Sequence, residues 1–402
     1  MKYRLRTDLK KQVNGVTLFR IECVTPFASI DSGEFGGWIE KEENLSQYGD
    51  AWVCGDARVY GDARVFGNAQ VFGDAEVSGD AQVYGDARVS GDAQVYENAQ
   101  VSGYAKVFGK ARVYENAQVS GYAQVYGDAW VAGNAEVAGN AWVSGDAWVY
   151  GYAKVYGDAR VSGDAEVYGN ARVSGNADVY GNADVAGDAE VSGNARVYED
   201  AQVYGNAQVY EDARVSGDAW VYGYAKVAGD ARVYGDARVF GNAQVFGDAE
   251  VSGEAQVSGY AKVFGKAKVY GEAQVFGDAE VFGDAQVFGD AEVYDNARVA
   301  GDARVYGDAE VYGKAQVYED AQVAGDADIF LIKLSSRFLT FCKDKKLGIS
   351  VTVGCQKAIS LDEFKKRIFE DGGYQNLPKH RREYLKAIEL VEEFMNVEEV
   401  SE

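Results

Sequence analysis

The stretch Gly55-Asp56-Ala57-Arg58-Val59-Tyr60-Gly61-Asp62-Ala63-Arg64-Val65-Phe66 states the rule of this chain twice over. The same six-residue sentence, G-[DN]-A-x-V-[YFSA], runs from Gly49 to Phe330 in 47 copies without an insertion or a deletion. Alanine holds its slot from Ala51 to Ala327 and valine from Val53 to Val323, with Ile329 closing the series. Ala, x, Val and the next residue alternate, so Ala and Val point to one side of a short strand while the other two point away. The Gly-Asp or Gly-Asn pair turns the corner, because Gly adopts positive φ without penalty and Asp or Asn tolerates it. One hexad is one strand plus one bend. Three bends of about 120° close a triangular coil, stacked at roughly 4.8 Å on the next. A fixed short period specifies a solenoid, here of about 16 coils and roughly 75 Å long.

Each coil encloses only Val and Ala methyls, which leaves no room inside for a ligand. Burying a Val stabilises by about 1.5–3 kcal/mol, while ordering each residue costs about 1–2 kcal/mol of backbone entropy. The Val column therefore needs help from strand ladders and outer stacks. Six corners, Glu97, Glu115, Glu199, Glu211, Asp295 and Glu319, carry an acid in place of Gly. Their presence implies that positive φ is not obligatory at that slot.

An aliphatic residue with a small residue four positions later, as in Val59-Tyr60-Gly61-Asp62-Ala63-Arg64, resembles the hexapeptide-repeat family of the LpxA-like acyltransferase superfamily. The fit covers Gly49 to Phe330. That resemblance implies a left-handed parallel β-helix. Gly36-Gly37-Trp38-Ile39, followed by Asn44-Leu45-Ser46, is similar to the start of uncharacterised bacterial and phage members labelled transferases, a label that describes the fold and not a reaction.

The expected division is an N-terminal β cap over 1–48, the β-helix over 49–330 and a C-terminal cap over 331–402. A solenoid end exposes strand edges and needs a lid. Lys2 to Arg6 and Val16 to Cys23 read as strands of the first lid. In the second, Phe338 to Cys342 and Ile349 to Val353 read as a hairpin, and Ser360-Leu361-Asp362-Glu363 has capping-box spacing at a helix start. A second helix starts near Pro378, with Leu385, Ile388, Val391 and Met395 on one face, expected to pack on the solenoid. No apolar run is long enough to span a membrane, and Met1-Lys2-Tyr3-Arg4 leads into no signal-peptide core, so a cytoplasmic protein is expected. Cys23, Cys54, Cys342 and Cys355 lack C-x-x-C spacing and read as buried free thiols, with Cys342 and Cys355 able to face one another across the hairpin.

The formal charge is −23. Gly49 to Phe330 holds 44 acidic and 20 basic residues, a net of −24. The corner slot carries 25 Asp, 12 Asn and 2 Glu, whereas the x slot has 17 Lys or Arg against 11 Asp or Glu. The edges are acidic and the flats mixed, a balance that disfavours nucleic-acid binding.

Hexapeptide-repeat acyltransferases, by resemblance, use a histidine on the coils as general base. The single histidine here, His380, falls in the C-terminal helix between Lys379 and Arg381, so no catalytic residue is assigned. The glycines recur as corners and form no G-x-G-x-x-G phosphate loop, the calcium-binding nonapeptide is absent, and the repeat has no threonine ranks of the ice-binding kind. No cofactor and no metal is expected.

Work is left to the outside. Sorting hexads by face places an aromatic after Val on 12 of 16 rungs of one face. These candidate interaction residues include Tyr60, Tyr96, Tyr114, Tyr150 and Tyr168, then Tyr204, Tyr222, Phe240, Phe276, Tyr294 and Tyr312. Trp52, Trp130, Trp142, Trp148 and Trp220 occupy the adjacent outward x slot. Such ladders stack from coil to coil and form exposed apolar surface of the interface kind. The reading is a non-enzymatic scaffold or binding solenoid that presents aromatic and acidic ladders to itself or to a protein partner. Its alternatives are an acyltransferase, a phage-type nucleic-acid mimic and a carbohydrate adhesin. The mimic is weakened by magnitude, since duplex DNA carries a charge every ~1.7 Å and this solenoid about half that density.

Overall fold

The computed structural model describes residues 1–325, 328–334, 338–344, 347–353, 358–370 and 378–395, and falls into two compact units, Met1–Glu211 and Asp212–Glu402. Both units are parallel β-solenoid, with a cap at the N-terminal end of the first and at the C-terminal end of the second.

In the first unit the hexads form 27 two-residue strands, from Trp52–Val53 to Gln208–Val209, paired within the unit in parallel register at a spacing of 18 residues. The N–H groups of Asp56, Arg58 and Tyr60 donate to the carbonyls of Gly73, Ala75 and Val77 at 2.9–3.0 Å, and the pattern recurs coil after coil. Every repeat Ala and Val from Ala51 to Val323 is at most 1% exposed, so the interior is filled with methyl groups, as the alternation requires.

The corners carry a finding that reverses an expectation. All six acidic corners keep positive φ, between 57° and 62°, beside glycines near 70°. Left-handed geometry is therefore imposed by the ladders on either side and not chosen by the residue. At Gly145 (φ 71°) an added Cβ would sit 2.9 Å from the N and O of Gly163 in the next coil. The acids make use of that proximity: Glu97 accepts a hydrogen bond from the Glu115 N–H at 3.0 Å, and Asp295 from the Gly313 N–H at 3.3 Å. Neighbouring corner residues also pair along the edge, with the Asn140 amide donating to Asp158 at 2.9 Å and the Asn170 amide to Asp188 at 3.0 Å.

The N-terminal cap is a hairpin, β1 (Tyr3–Val13) and β2 (Val16–Cys23), turned at Asn14-Gly15 with positive φ at both residues. Its third strand, β3 (Phe35–Ile39), pairs antiparallel with β2 and parallel with the first coils, Trp38 opposite Arg58 and Ile39 opposite Val59. Leu45 bridges Val65 in the same sense. The Tyr3 hydroxyl donates to the Leu45 carbonyl at 2.6 Å, and the buried Lys2 ammonium donates to the Ala51 carbonyl at 2.8 Å.

The second unit holds 19 further hexad strands, Arg214–Val215 to Gln322–Val323. After them Ile329–Lys333, Phe338–Asp344, Gly348–Val353 and Ile359–Ser360 form an antiparallel sheet, covered by helices α1 (Leu361–Glu370) and α2 (Pro378–Met395). The Ser360 hydroxyl caps α1 by accepting from the Glu363 N–H at 3.1 Å. Ile388 and Val391 of α2 pack with Phe341, Val351, Phe364 and Ile368, so this helix face is buried against the cap's own sheet and α1. Packing on the solenoid was the sequence expectation; the cap instead reaches the coils through its sheet, where the Thr340 hydroxyl accepts from the Gln316 N–H at 2.9 Å and Ala321 bridges Asp344. Cys23 and Cys342 are buried free thiols and Cys54 a half-buried one, while Cys355 lies outside the described residues. No helix among the described residues is long and apolar enough to cross a membrane.

Candidate functional site

The slot after Val builds stacked columns because residues 18 apart share a rung position. Tyr96 and Tyr114 stack at 5.0 Å with 2° between ring planes, and Tyr150 and Tyr168 at 5.0 Å with 5°. In the second unit Tyr222 stacks on Phe240, Phe276 on Tyr294 and Tyr294 on Tyr312, at 4.9–5.4 Å. Tyr204, in the first unit, is half-buried. Tyr60 has Ser78 as its next rung and turns to other partners, donating to Glu76 and accepting from the Asn14 amide at 3.2 Å. The Tyr-to-Glu reach recurs in Tyr150 to Glu166 (3.1 Å) and Tyr294 to Glu310 (2.9 Å). Burial first, and the accepting carboxylate second, push the Tyr150 hydroxyl well above its ordinary range and that of Tyr294 up to about 12.

The five x-slot tryptophans divide. Trp130 and Trp148 stack on one another at 4.6 Å, with the Arg112 guanidinium 4.9 Å above Trp130. Trp142 lies under Arg160 at 5.2 Å, and Trp220 under Arg238 at 5.4 Å. Trp52 corrects the sequence reading: it is only 3% exposed, set edge-on against Tyr3 and Phe27 at 6.3 and 5.4 Å, and belongs to the joint between cap and first coil. An outward slot becomes interior where a cap folds over it.

One place on the aromatic face of the first unit is concave. Ala132 occupies the rung between Tyr114 and Tyr150, interrupting the column, and leaves a cavity of about 340 Å³. Tyr114 and Tyr150 bound it along the column, Trp130 and Trp148 wall it, Gly133 and Gly151 lie at its corner side and the exposed Glu115 at its rim. Tyr114 stands at 78° to Trp130, and Tyr150 at 76° to Trp148, so the two tyrosines keep a common tilt across the gap. Burial, then the carboxylates of Glu115 and Glu97, raise the Tyr114 hydroxyl above its ordinary range, with Arg112 opposing. The signal was present in the sequence as Tyr114, Ala132 and Tyr150 at 18-residue spacing beside Trp130 and Trp148.

A second depression, of about 510 Å³, lies in the second unit between the x-slot row Gln244, Lys262, Glu280, Arg298 and the corner row Tyr260, Asp278. Its charges serve one another, with Arg298 and Lys262 on Glu280 at 3.2 and 3.8 Å. Among the described residues no group of three or more His, Cys, Asp or Glu is placed to hold a metal ion. His380 lies in α2, outside every coil.

Six segments, residues 57–73, 81–97, 189–205, 207–223, 231–247 and 291–307, match the family described as the YdcK beta solenoid repeat. No curated protein matches the chain. Of the 27 solved chains that match, one is the crystal structure of a "putative acetyltransferase" from Desulfovibrio desulfuricans G20, aligned at 10% identity over 64% of this chain and 65% of that one, with a TM-score of 0.20. The alignment thus spans just under two thirds of that protein. Together the period, the coils and the repeat matches fit a hexapeptide-repeat β-helix protein.

Proposed function

We propose that this hexapeptide-repeat β-helix protein is a non-enzymatic scaffold or binding module, which presents its outer aromatic and acidic ladders to a protein partner or to a second copy of itself. The observation that carries this reading is the contrast between inside and outside. Every interior repeat side chain to Val323 is a sealed methyl group, while Trp148 stays 41% exposed beside an apolar notch. Large aromatic area left in water is the usual mark of an interface. A catalytic reading would need a general base on the coils, and the sequence supplies no histidine there.

Size-exclusion chromatography with light scattering, run over a hundredfold concentration range, tests the self-association arm. The expected result is an assembly that a Trp130→Ser, Trp148→Ser variant weakens. A monomer at every concentration, together with acyl turnover from acetyl-CoA that survives in this variant, would refute the proposal.

A further inference from the structure

The notch over Ala132 has a shape that its own ladder defines. Rings in the column repeat at 5.0 Å, and one ring is missing, so Tyr114 and Tyr150 sit two coils apart, about 10 Å. Contacting rings lie about 3.5–4.0 Å plane to plane. The gap between the two facing planes is therefore about 7–8 Å, room for one planar group and tight for a puckered sugar ring. The outer faces of these rings are already taken by Tyr96 and Tyr168, while Trp130 is stacked between Trp148 and Arg112. The inward faces of Tyr114 and Tyr150, across Ala132, are open.

Charge narrows the guest. Glu115 is exposed at the rim, and no cation pairs with its carboxylate among the described residues. Around Tyr114 the acids Glu115 and Glu97, one coil apart, stand against Arg112, Glu166 accepts from the Tyr150 hydroxyl at 3.1 Å, and Lys110 already faces Asp128 at 3.8 Å. A nucleobase would bring phosphate into this field. A guanidinium is planar, cationic and weakly hydrated, stacks on aromatic faces and matches a carboxylate fork. The molecule already uses that stacking three times within its x-slot columns, at Trp130, Trp142 and Trp220.

We propose that the slot over Ala132 receives a single arginine side chain from a basic segment of a partner protein, its guanidinium sandwiched between Tyr114 and Tyr150 and paired with Glu115. This rests on the binding-module reading and names the chemistry of its partner.

The test is calorimetric titration of the full chain with a basic nonapeptide holding one central arginine, beside twins with lysine or citrulline at that position. Lysine keeps the charge without the plane; citrulline keeps the plane without the charge. The arginine peptide is expected to bind at least tenfold more tightly than either twin. Ala132→Tyr supplies the missing ring and should reduce the arginine peptide to the level of the twins, while its melting temperature stays at or above that of the unmutated chain. Ala186→Tyr fills a gap in the same column that lacks tryptophan walls and should leave binding intact. Tyr114→Leu with Tyr150→Leu, which removes the ring faces without filling the slot, should also abolish the arginine preference. Equal binding of the three peptides, no binding of any, or arginine binding that survives Ala132→Tyr would overturn the slot assignment. The light-scattering result is independent of these peptides, so such a failure alone leaves the wider reading standing.

Discussion

Replacing Glu97 by alanine and, separately, by glycine distinguishes an imposed corner from a permitted one. Glu97 holds φ at 57° and accepts the Glu115 N–H at 3.0 Å. Alanine keeps the left-handed penalty, about 1–2 kcal/mol for an L-residue, and loses the hydrogen bond, worth about 0.5–1.5 kcal/mol. No new clash arises, because Glu97 already carries a Cβ. The expected loss for Glu97→Ala is therefore about 1 kcal/mol. Glycine also loses the hydrogen bond but removes the left-handed penalty, offset by about 0.5–1 kcal/mol of extra freedom in the unfolded chain. Glu97→Gly should fall within about 0.5 kcal/mol of the unmutated chain, and above alanine by roughly 0.5–1 kcal/mol. A solenoid opens coil by coil, so hydrogen exchange of the amides in neighbouring coils is the appropriate assay, with urea denaturation beside it. A 1 kcal/mol loss appears as roughly fivefold faster exchange around the substituted corner. If alanine proved as stable as glycine, the corner would not be forcing positive φ, and the account of all six acidic corners would fail.

Three further outcomes follow from the same structure. Trp52→Ala should cost about 3–5 kcal/mol locally and expose the amides of Tyr3–Val13 to exchange while the central coils stay protected. Burial pushes the Lys2 ammonium down from 10.5 to about 8, so the folded chain resists the charged form. Cap stability should then be lost as pH falls from about 10.5 to 8, by up to about 3 kcal/mol, and stay level below pH 8. Comparing exchange in β1 across that window with a Lys2→Met variant, whose profile lacks this step, checks the sign. Asn140→Asp replaces an amide donor by a carboxylate facing Asp158, and should lower the melting temperature in dilute buffer but recover toward that of the unmutated chain in about 0.5 M salt.

The coil was legible because Ala and Val repeat at a spacing that allows one geometry, and both columns are sealed as the alternation requires. The caps were partly legible. The capping box at Ser360 marks the start of α1, whereas β1 runs to Val13, up to the Asn14-Gly15 hairpin turn, instead of ending near Arg6. The acidic corners misled because a residue's preference is weak beside two ladders that fix its neighbours. Trp52 misled because slot position reports the direction of a side chain and not what a cap later lays over it. The expectation that α2 packs on the solenoid failed for the same reason: an apolar face states that it will be buried, not against what. The notch was hidden in a different way. Each of its residues was in view, but only coil stacking brings the missing ring at Ala132 beside Trp130 and Trp148.

The parallel pairing of Trp38 with Arg58 means that the N-terminal hairpin ends in a finished template for the first winding. On a ribosome the cap emerges before the coils, so each new turn meets an edge already formed and needs only local closure over 18 residues. The growing tip is covered by the next arrival within seconds, which limits the time in which a bare, sticky rim is available to other nascent chains.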